Sequence, residues 1–179
     1  MKEPLNQNDE RGAVMDRLYK KTLLKAVKDN DMKSIMRCLE AGEDVNARDR
    51  DGLTPLLQAS VNGHREIAEL LIEHGADING RNNLGKTPLH EASTVEVAEV
   101  LIARGAGVNV RCKNGRTPLH EATKRAVAEY LVSRGADIKA RDSDGMTPLD
   151  YVRFQGCREV IDYLAEFEPD WRSRKQDEC

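Results

Sequence analysis

Apolar residues recur along this chain in short stripes that have the period of a helix. Ile67, Leu70 and Leu71 follow the i, i+3, i+4 spacing of one buried helical face, and residues 97–101 repeat that spacing. A glycine such as Gly75 follows each stripe, where a left-handed helix end is easiest for a residue without a Cβ atom. The pattern predicts a series of short helices, each closed by a glycine turn.

A four-residue motif predicts a second helix in front of each stripe. Its four copies start at Thr54, Thr87, Thr117 and Thr147, which are 33, 30 and 30 residues apart. All four read Thr-Pro-Leu, and the fourth residue is Leu, His, His and Asp in turn. Threonine is a favoured N-cap, and proline is tolerated next because its missing N–H would have no helical partner there. Each unit therefore reads as helix, turn, helix and hairpin-like loop.

The third and fourth units are shorter than the second, as the spacing of 30 instead of 33 residues shows. Alignment of the unit ends places the missing residues between the two helices, where the second unit has residues 61–64. In the third unit, Ser93 and Glu96 then fit a capping box for the second helix. Equal shortening of two adjacent units should let them stack without a step.

The first and last units are predicted to differ from the middle ones, because a unit this thin buries its apolar faces only against neighbours. The first copy, residues 23–44, lacks the Thr-Pro motif and is rich in lysine, which suits a solvated outer layer. Six of the seven aromatic residues lie at or after Tyr130. They suggest a heavier closure of the last face, formed by Tyr151, Val160, Ile161, Leu164 and Trp171.

These motifs closely resemble the ankyrin-repeat family over residues 20–167. The resemblance implies an all-α solenoid of about five helix-turn-helix repeats with hairpin-like loops, which project as fingers beside a concave face. It also implies a division of the chain into a disordered segment, a repeat domain and a tail. The expected ranges are 1–18 for the disordered segment, 19–168 for the ankyrin-repeat domain and 169–179 for the C-terminal tail. Within the domain, the repeats are expected at about 21–53, 54–86, 87–116, 117–146 and 147–168.

Composition narrows the classes of function. Charged residues make up 33 % of the chain but the net charge is only −3, so a dedicated nucleic-acid binder with a basic excess is disfavoured. No apolar stretch is long enough to span a membrane, and the N-terminus lacks the apolar centre of a signal peptide. The four cysteines match no zinc or disulfide spacing. We expect a reduced, cytoplasmic protein, in which Cys38 packs on the apolar face of a helix.

Catalytic chemistry is not indicated by any motif. His90 and His120 each precede a glutamate, but a His–Glu pair without further ligands is weak support for a metal site. The resemblance implies instead that this histidine ties the Thr-Pro turn to the neighbouring repeat, where Leu57 and Asp150 replace it in the second and fifth copies. We expect no enzyme activity, no metal and no cofactor.

The leading hypothesis is a non-catalytic interaction module or adaptor that binds another protein through its loop tips and first helices. Tyr151 and Phe154 are either aromatic anchors for the partner or part of the terminal cap. The candidate partner-binding residues are Arg50, Leu53, Gln58, Asn83, Leu84, Lys86, Glu91, Lys113, Arg116, Glu121, Met146, Tyr151 and Phe154.

A column of four arginines supports a second hypothesis. Arg48, Arg81, Arg111 and Arg141 occupy the same place in successive loops, and such a column could bind nucleic acid or another polyanion. The column is also consistent with a solvated face, since exposed charges of this kind contribute little. An enzyme with a site built across several repeats is a third possibility, for which the sequence offers no residues.

Overall fold

A computed structural model describes residues 23–168, all of them in helices, turns and loops without a strand. Each of five successive units contributes two helical segments. The helices are α1 (residues 23–28), α2 (Met32–Glu40), α3 (Pro55–Asn62), α4 (Arg65–Glu73), α5 (Val95–Ala103), α6 (Pro118–Glu121), α7 (Arg125–Ser133), α8 (Pro148–Gln155) and α9 (Arg158–Ala165), with a 3-10 helix at Pro88–Glu91. The expected disordered segment 1–18, the tail 169–179 and Trp171 lie outside the described residues.

The Thr-Pro motif starts the first helix of the second, third, fourth and fifth repeats, as predicted. In repeat two the side-chain oxygen of Thr54 accepts a hydrogen bond from the Leu57 N–H at 3.2 Å. In repeat five the side-chain oxygen of Thr147 accepts a hydrogen bond from the Asp150 N–H at 3.3 Å. The proline that follows each threonine is the first helical residue.

The helices stack in two layers. In the first layer α3 packs against the 3-10 helix, which packs against α6, which packs against α8. In the second layer α4, α5, α7 and α9 follow one another in the same order. Because every pair repeats the orientation of the previous one, the N-terminal ends of the first helices lie side by side.

The core between the layers is aliphatic. The leucine of each Thr-Pro-Leu motif is at most 2 % exposed, and so is the central leucine of each later second helix. These residues are Leu56, Leu89, Leu119 and Leu149 in the first layer and Leu71, Leu101, Leu131 and Leu164 in the second. Stability is therefore distributed over many similar layers, as is expected of a repeat array.

The missing residues of repeats three and four come from the first helix, so our placement of the deletion between the helices was wrong. The 3-10 helix and α6 have four residues each, whereas α3 and α8 have eight. Residues 92–94 and 122–124 run extended where the last helical turn would be. The predicted capping box was also wrong, because Thr94 rather than Ser93 caps α5 by accepting from the Val97 N–H at 3.4 Å.

The terminal repeat closes on apolar side chains. Tyr151 is 7 % exposed, and Val160 and Leu164 are fully buried, as predicted, while Ile161 is partly buried. At the other end, Cys38 is buried in α2, and burial raises the pKa of its thiol to about 11. The thiol therefore stays protonated near neutral pH and serves as a packing group.

Replacement of a leucine in the middle of the stack should weaken the whole array. We expect Leu101→Ala to lower the free energy of unfolding by about 2–5 kcal/mol, because the lost side chain leaves a cavity between layers. Urea unfolding followed by circular dichroism measures the change. Leu84→Ala is the control, since Leu84 is 60 % exposed. Similar losses in both variants would contradict the packing described.

Candidate binding face

The histidines of the repeated motif hold each turn to the next repeat. Nδ1 of His90 accepts hydrogen bonds from the Thr87 N–H at 3.1 Å and from the Thr87 hydroxyl at 2.9 Å. Nε2 donates to the carbonyl oxygen of Arg116 in the next loop at 3.1 Å. His120 makes the same three contacts, the last of them with Met146. Both rings are thus fully used within the fold, which confirms the structural role that the resemblance implied.

The fifth repeat keeps this turn with a different residue. Oδ2 of Asp150 accepts from the Thr147 N–H at 3.1 Å and from its hydroxyl at 2.9 Å. A carboxylate has no hydrogen to donate onward when it is ionised. Asp150 therefore secures its own turn without the bond that His90 and His120 donate to the next loop.

Lys86 lies between two glutamates of the first-helix layer. Its Nζ atom is 3.0 Å from Oε2 of Glu121 and 3.4 Å from Oε1 of Glu91, and its side chain is 18 % exposed. Burial by itself would lower the pKa of Lys86, but the hydrogen bond that Lys86 donates to Glu121 and the charge of Glu91 outweigh it and raise the pKa. One lysine thereby joins repeats three and four.

Arg116 continues the network into the fifth repeat. Its Nη1 atom is 3.9 Å from Oε1 of Glu121 and donates to the Tyr151 hydroxyl at 3.0 Å. Its Nε donates to Oδ2 of Asp142 at 3.2 Å, and its Cζ lies 4.0 Å from the centre of the Tyr151 ring. Gln155 donates to the same hydroxyl at 2.9 Å. The Tyr151 hydroxyl therefore accepts hydrogen bonds from both Arg116 and Gln155.

Asp142 is the residue of this network that sequence reasoning missed. Its Oδ1 accepts from the N–H groups of Asp144 and Met146, both at 2.9 Å, which closes the loop around it. Asp49 and Asn82 make the equivalent pair of bonds in their own loops. An Asp or Asn after three of the four loop arginines was therefore a readable signal, whereas Arg111 is followed by Cys112. Burial alone would raise the pKa of Asp142, but the bonds from Met146 and Arg116 lower it below its ordinary value.

The thirteen candidate residues divide into two groups. The structure brings Lys86, Glu91, Arg116, Glu121 and Tyr151 together in one network of ion pairs and hydrogen bonds. The others are not part of it. Arg50, Asn83, Leu84 and Lys113 are exposed on the loops and Phe154 on α8, while Leu53, Gln58 and Met146 are partly buried.

Exposure separates the two aromatic candidates. Tyr151 is 7 % exposed and packs under Arg116, so it belongs to the scaffold rather than to a free surface. Phe154, one turn later on the same helix, is 84 % exposed, and Leu84 on the second finger loop is 60 % exposed. These two are the candidates with the most apolar surface open to a partner.

The arginine column connects successive finger loops. Arg81 donates from Nη1 to the carbonyl oxygens of Gly85 in its own loop at 2.9 Å and of Arg111 in the next loop at 2.8 Å. Arg111 does the same with Gly115 at 2.8 Å and Arg141 at 2.5 Å. Arg48 likewise donates to the carbonyl of Arg81. The column therefore braces the loops against one another.

Comparison with known families agrees with this geometry. The family described as ankyrin repeats, with three copies, matches residues 23–112 and 93–175. This chain belongs to the ankyrin-repeat family. No curated protein matches the chain.

Ankyrin repeats are generally non-catalytic modules for protein–protein interaction. Among residues 23–168, no three His, Cys, Asp or Glu side chains are grouped so that they could hold a metal ion. Within the same range, no helix has the length and apolar character that crossing a membrane requires. Because ankyrin repeats generally bind other proteins, the finger loops and the first helices form the candidate functional site.

The two histidines should make stability sensitive to mild acid. Burial lowers the pKa of His90 and of His120, so the folded chain binds protons less readily than the unfolded chain. Their contribution is complete above about pH 6.5 and is lost as the pH falls toward the folded pKa values. We expect the thermal midpoint to drop between pH 7.5 and pH 5.0, and to drop less in a His90→Asn/His120→Asn double variant. An equal drop in both proteins would contradict this assignment.

The charge of Asp142 should stabilise the fourth and fifth repeats. Asp142→Asn keeps the acceptor for the two loop N–H groups, as Asn82 shows, but loses the charged partner of Arg116. We expect a loss of about 1.5–3 kcal/mol near neutral pH, the value of a hydrogen bond to a charged group. Because the folded pKa of Asp142 is lowered, this stabilisation is present above about pH 4 and disappears as the pH falls further. Urea unfolding at pH 7 and pH 3 tests whether the gap between variant and wild type narrows.

Proposed function

We propose that this ankyrin protein is an adaptor that binds a partner protein through its finger-loop tips and its concave first-helix face. The observation that carries the proposal is the open apolar surface of Phe154 and Leu84, which are 84 % and 60 % exposed. An exposed apolar side chain gains free energy when a partner covers it. Both residues lie on the part of the fold that the family uses for binding.

The ion-pair network supports the proposal by making this face rigid. Lys86, Glu121 and Arg116 are tied to one another across three repeats and are only 18 %, 11 % and 18 % exposed. A partner therefore meets side chains whose positions are set before binding, so little conformational entropy is lost on association. The affinity for the partner should come mainly from the apolar anchors. The charged groups should contribute charge complementarity, which sets specificity more than affinity.

A pair of substitutions on the apolar anchors tests the proposal. After affinity purification and mass spectrometry from the native cell have identified a partner, its affinity is measured by calorimetry with the wild type and with Leu84→Ser/Phe154→Ser. We expect at least a tenfold weaker complex, because each side chain would lose a buried contact worth about 1 kcal/mol or more. The fold should be unaffected, since both side chains are exposed.

Met36→Ser is the matched control, because Met36 is also an exposed apolar residue, 47 % exposed, but lies on α2, the second helix of the first repeat. A partner that binds all three proteins equally would show that the proposed face is wrong. A titration with labelled oligonucleotides at two salt concentrations accompanies the experiment. Tight binding that weakens steeply with salt would favour the polyanion hypothesis instead.

A further inference from the structure

The finger loops pair edge to edge through their main chains. They comprise residues 48–53, 81–86, 111–116 and 141–146. At each junction an N–H of the later loop donates to a carbonyl oxygen of the earlier one, namely Asn83 to Asp51 at 3.0 Å, Lys113 to Leu84 at 3.0 Å and Ser143 to Asn114 at 2.9 Å. Two residues before each donor, an arginine carbonyl oxygen accepts from the guanidinium of the earlier loop. Every later loop thus supplies a carbonyl group and an N–H group that are two residues apart.

The outer edge of the fourth loop, formed by Arg141, Asp144 and Gly145, has the same groups without these bonds. Within residues 23–168, Nη1 of Arg141 donates to Gly145 of its own loop at 2.7 Å and to no later loop, and no N–H donates to the Asp144 carbonyl oxygen. A Cβ atom added to Gly145 would meet nothing within 4 Å, whereas one on the equivalent glycine of each earlier loop would meet the next loop 2.6–3.0 Å away. The outer edge is therefore open to a further segment of main chain.

The sequence after α9 keeps the spacing of a finger loop. In repeats two, three and four, the central leucine of the second helix is followed by an aliphatic residue after seven positions and by the loop arginine after ten. Leu164 of α9 is followed at the same two intervals by Trp171 and Arg174. The match to ankyrin repeats runs through residue 175 and includes both. In this register the required carbonyl and N–H groups belong to Arg174 and Gln176.

The stacking of the second helices brings this part of the chain to the outer edge. Each second helix leads into its finger loop, and α9 packs against α7 as α7 packs against α5. The loop that belongs beside the fourth one is therefore the loop that follows α9. A loop from a second copy of the chain is excluded, because the helix before it would need the place against α7 that α9 occupies.

We propose that the outer edge of the fourth finger loop is a docking site for residues 174–176 of this same chain, which pair with it as a fifth finger loop. The Asp144 carbonyl oxygen accepts from the Gln176 N–H, and Arg141 donates to the Arg174 carbonyl oxygen. Trp171 takes the place of three partly buried residues that pack against the core, which are Ile78, Val108 and Ile138.

The candidate binding face thereby gains a fifth loop tip. Asp177 is the equivalent of Leu84, Asn114 and Asp144, because it follows its loop arginine by three positions as they do. The placement itself does not depend on the proposed function, since it rests on contacts within one chain.

A substitution that blocks the outer edge tests the inference on the full chain. Gly145 has a φ of +77°, which asparagine tolerates better than other residues with a side chain. The side chain of Gly145→Asn would occupy the space that the next loop fills in the three earlier junctions. Trp171 is the only tryptophan of the chain, so its fluorescence reports the docking directly. We expect a blue-shifted emission protected from acrylamide in the wild type, and in Gly145→Asn a shift to longer wavelength with loss of that protection.

Gly135→Asn is the matched control. Gly135 also has a positive φ, +87°, and a Cβ atom there would meet nothing within 4 Å. The same holds for the equivalent residues of the earlier repeats, Gly42, Gly75 and Gly105, so no neighbouring loop covers this position in any repeat. We expect Gly135→Asn to keep the wild-type emission, and circular dichroism checks that both variants are folded.

Amide hydrogen exchange of the wild type, followed by NMR, gives a second measurement that needs no variant. The Gln176 N–H should be protected, as we expect for the Ser143 N–H that bonds the third loop. The Asp177 N–H is the internal control, because its equivalent in Asp144 bonds the side chain of Asp142, whereas the lysine at position 175 has no acceptor. It should exchange fast.

Three results would overturn the inference. They are a water-like Trp171 emission in the wild type, an emission that a folded Gly145→Asn variant leaves unchanged, and fast exchange of the Gln176 N–H. If Gly145→Asn does not fold, the exchange measurement on the wild type decides. The proposed adaptor function would survive each of these results, because its own test is made at Leu84 and Phe154.

Discussion

Every helix pair of this chain depends on its neighbours, because two short helices cannot enclose their own apolar side chains. The leucines of the Thr-Pro-Leu motifs are at most 2 % exposed because they lie between packed helices. The same constraint explains the aliphatic core: thin layers leave room for leucine, valine and alanine between them. Aromatic side chains appear where the stack ends, and Tyr151 fills the space beneath Arg116 in the last repeat.

Stacking also decides where the polar groups go. A turn buried between two repeats must satisfy its own N–H and carbonyl groups, and the fold does this with side chains that reach across the junction. His90 secures its own turn on one side of the ring and bonds the next loop on the other. Arg81 and Arg111 perform the same task at the edge of the fingers. Histidine and arginine side chains that look chemically active in the sequence therefore serve to hold neighbouring repeats together.

For binding, the charged residues and the exposed apolar residues of the candidate face have different roles. Lys86, Glu121 and Arg116 have partners within the chain, so exchanging those partners for groups of another protein would gain little. Phe154 and Leu84 have no such competition, and an exposed apolar side chain gains free energy whenever a partner covers it.

Local patterns in the sequence were sufficient for the architecture. The Thr-Pro caps, the glycine turns and the buried leucines each depend on residues a few positions apart, and their recurrence specifies which layers meet. The resemblance to ankyrin repeats implied that His90 and His120 tie their turns to the neighbouring repeat, and the structure confirms this role. The partner-binding positions remain a prediction.

Only the tertiary structure showed which charges meet and where the missing residues were lost. Lys86 pairs with Glu121 and Arg116 with Tyr151 across 35 positions of sequence, and no local period reports whether a side chain reaches the next layer or points to solvent. The deletion could be absorbed by the linker or by the helix before it, and sequence alignment alone does not distinguish these. In the structure the first helix of repeat three is the element that is shortened. With this arrangement the Ser93 N–H bonds the Ser60 carbonyl oxygen of α3, and Thr94 caps α5.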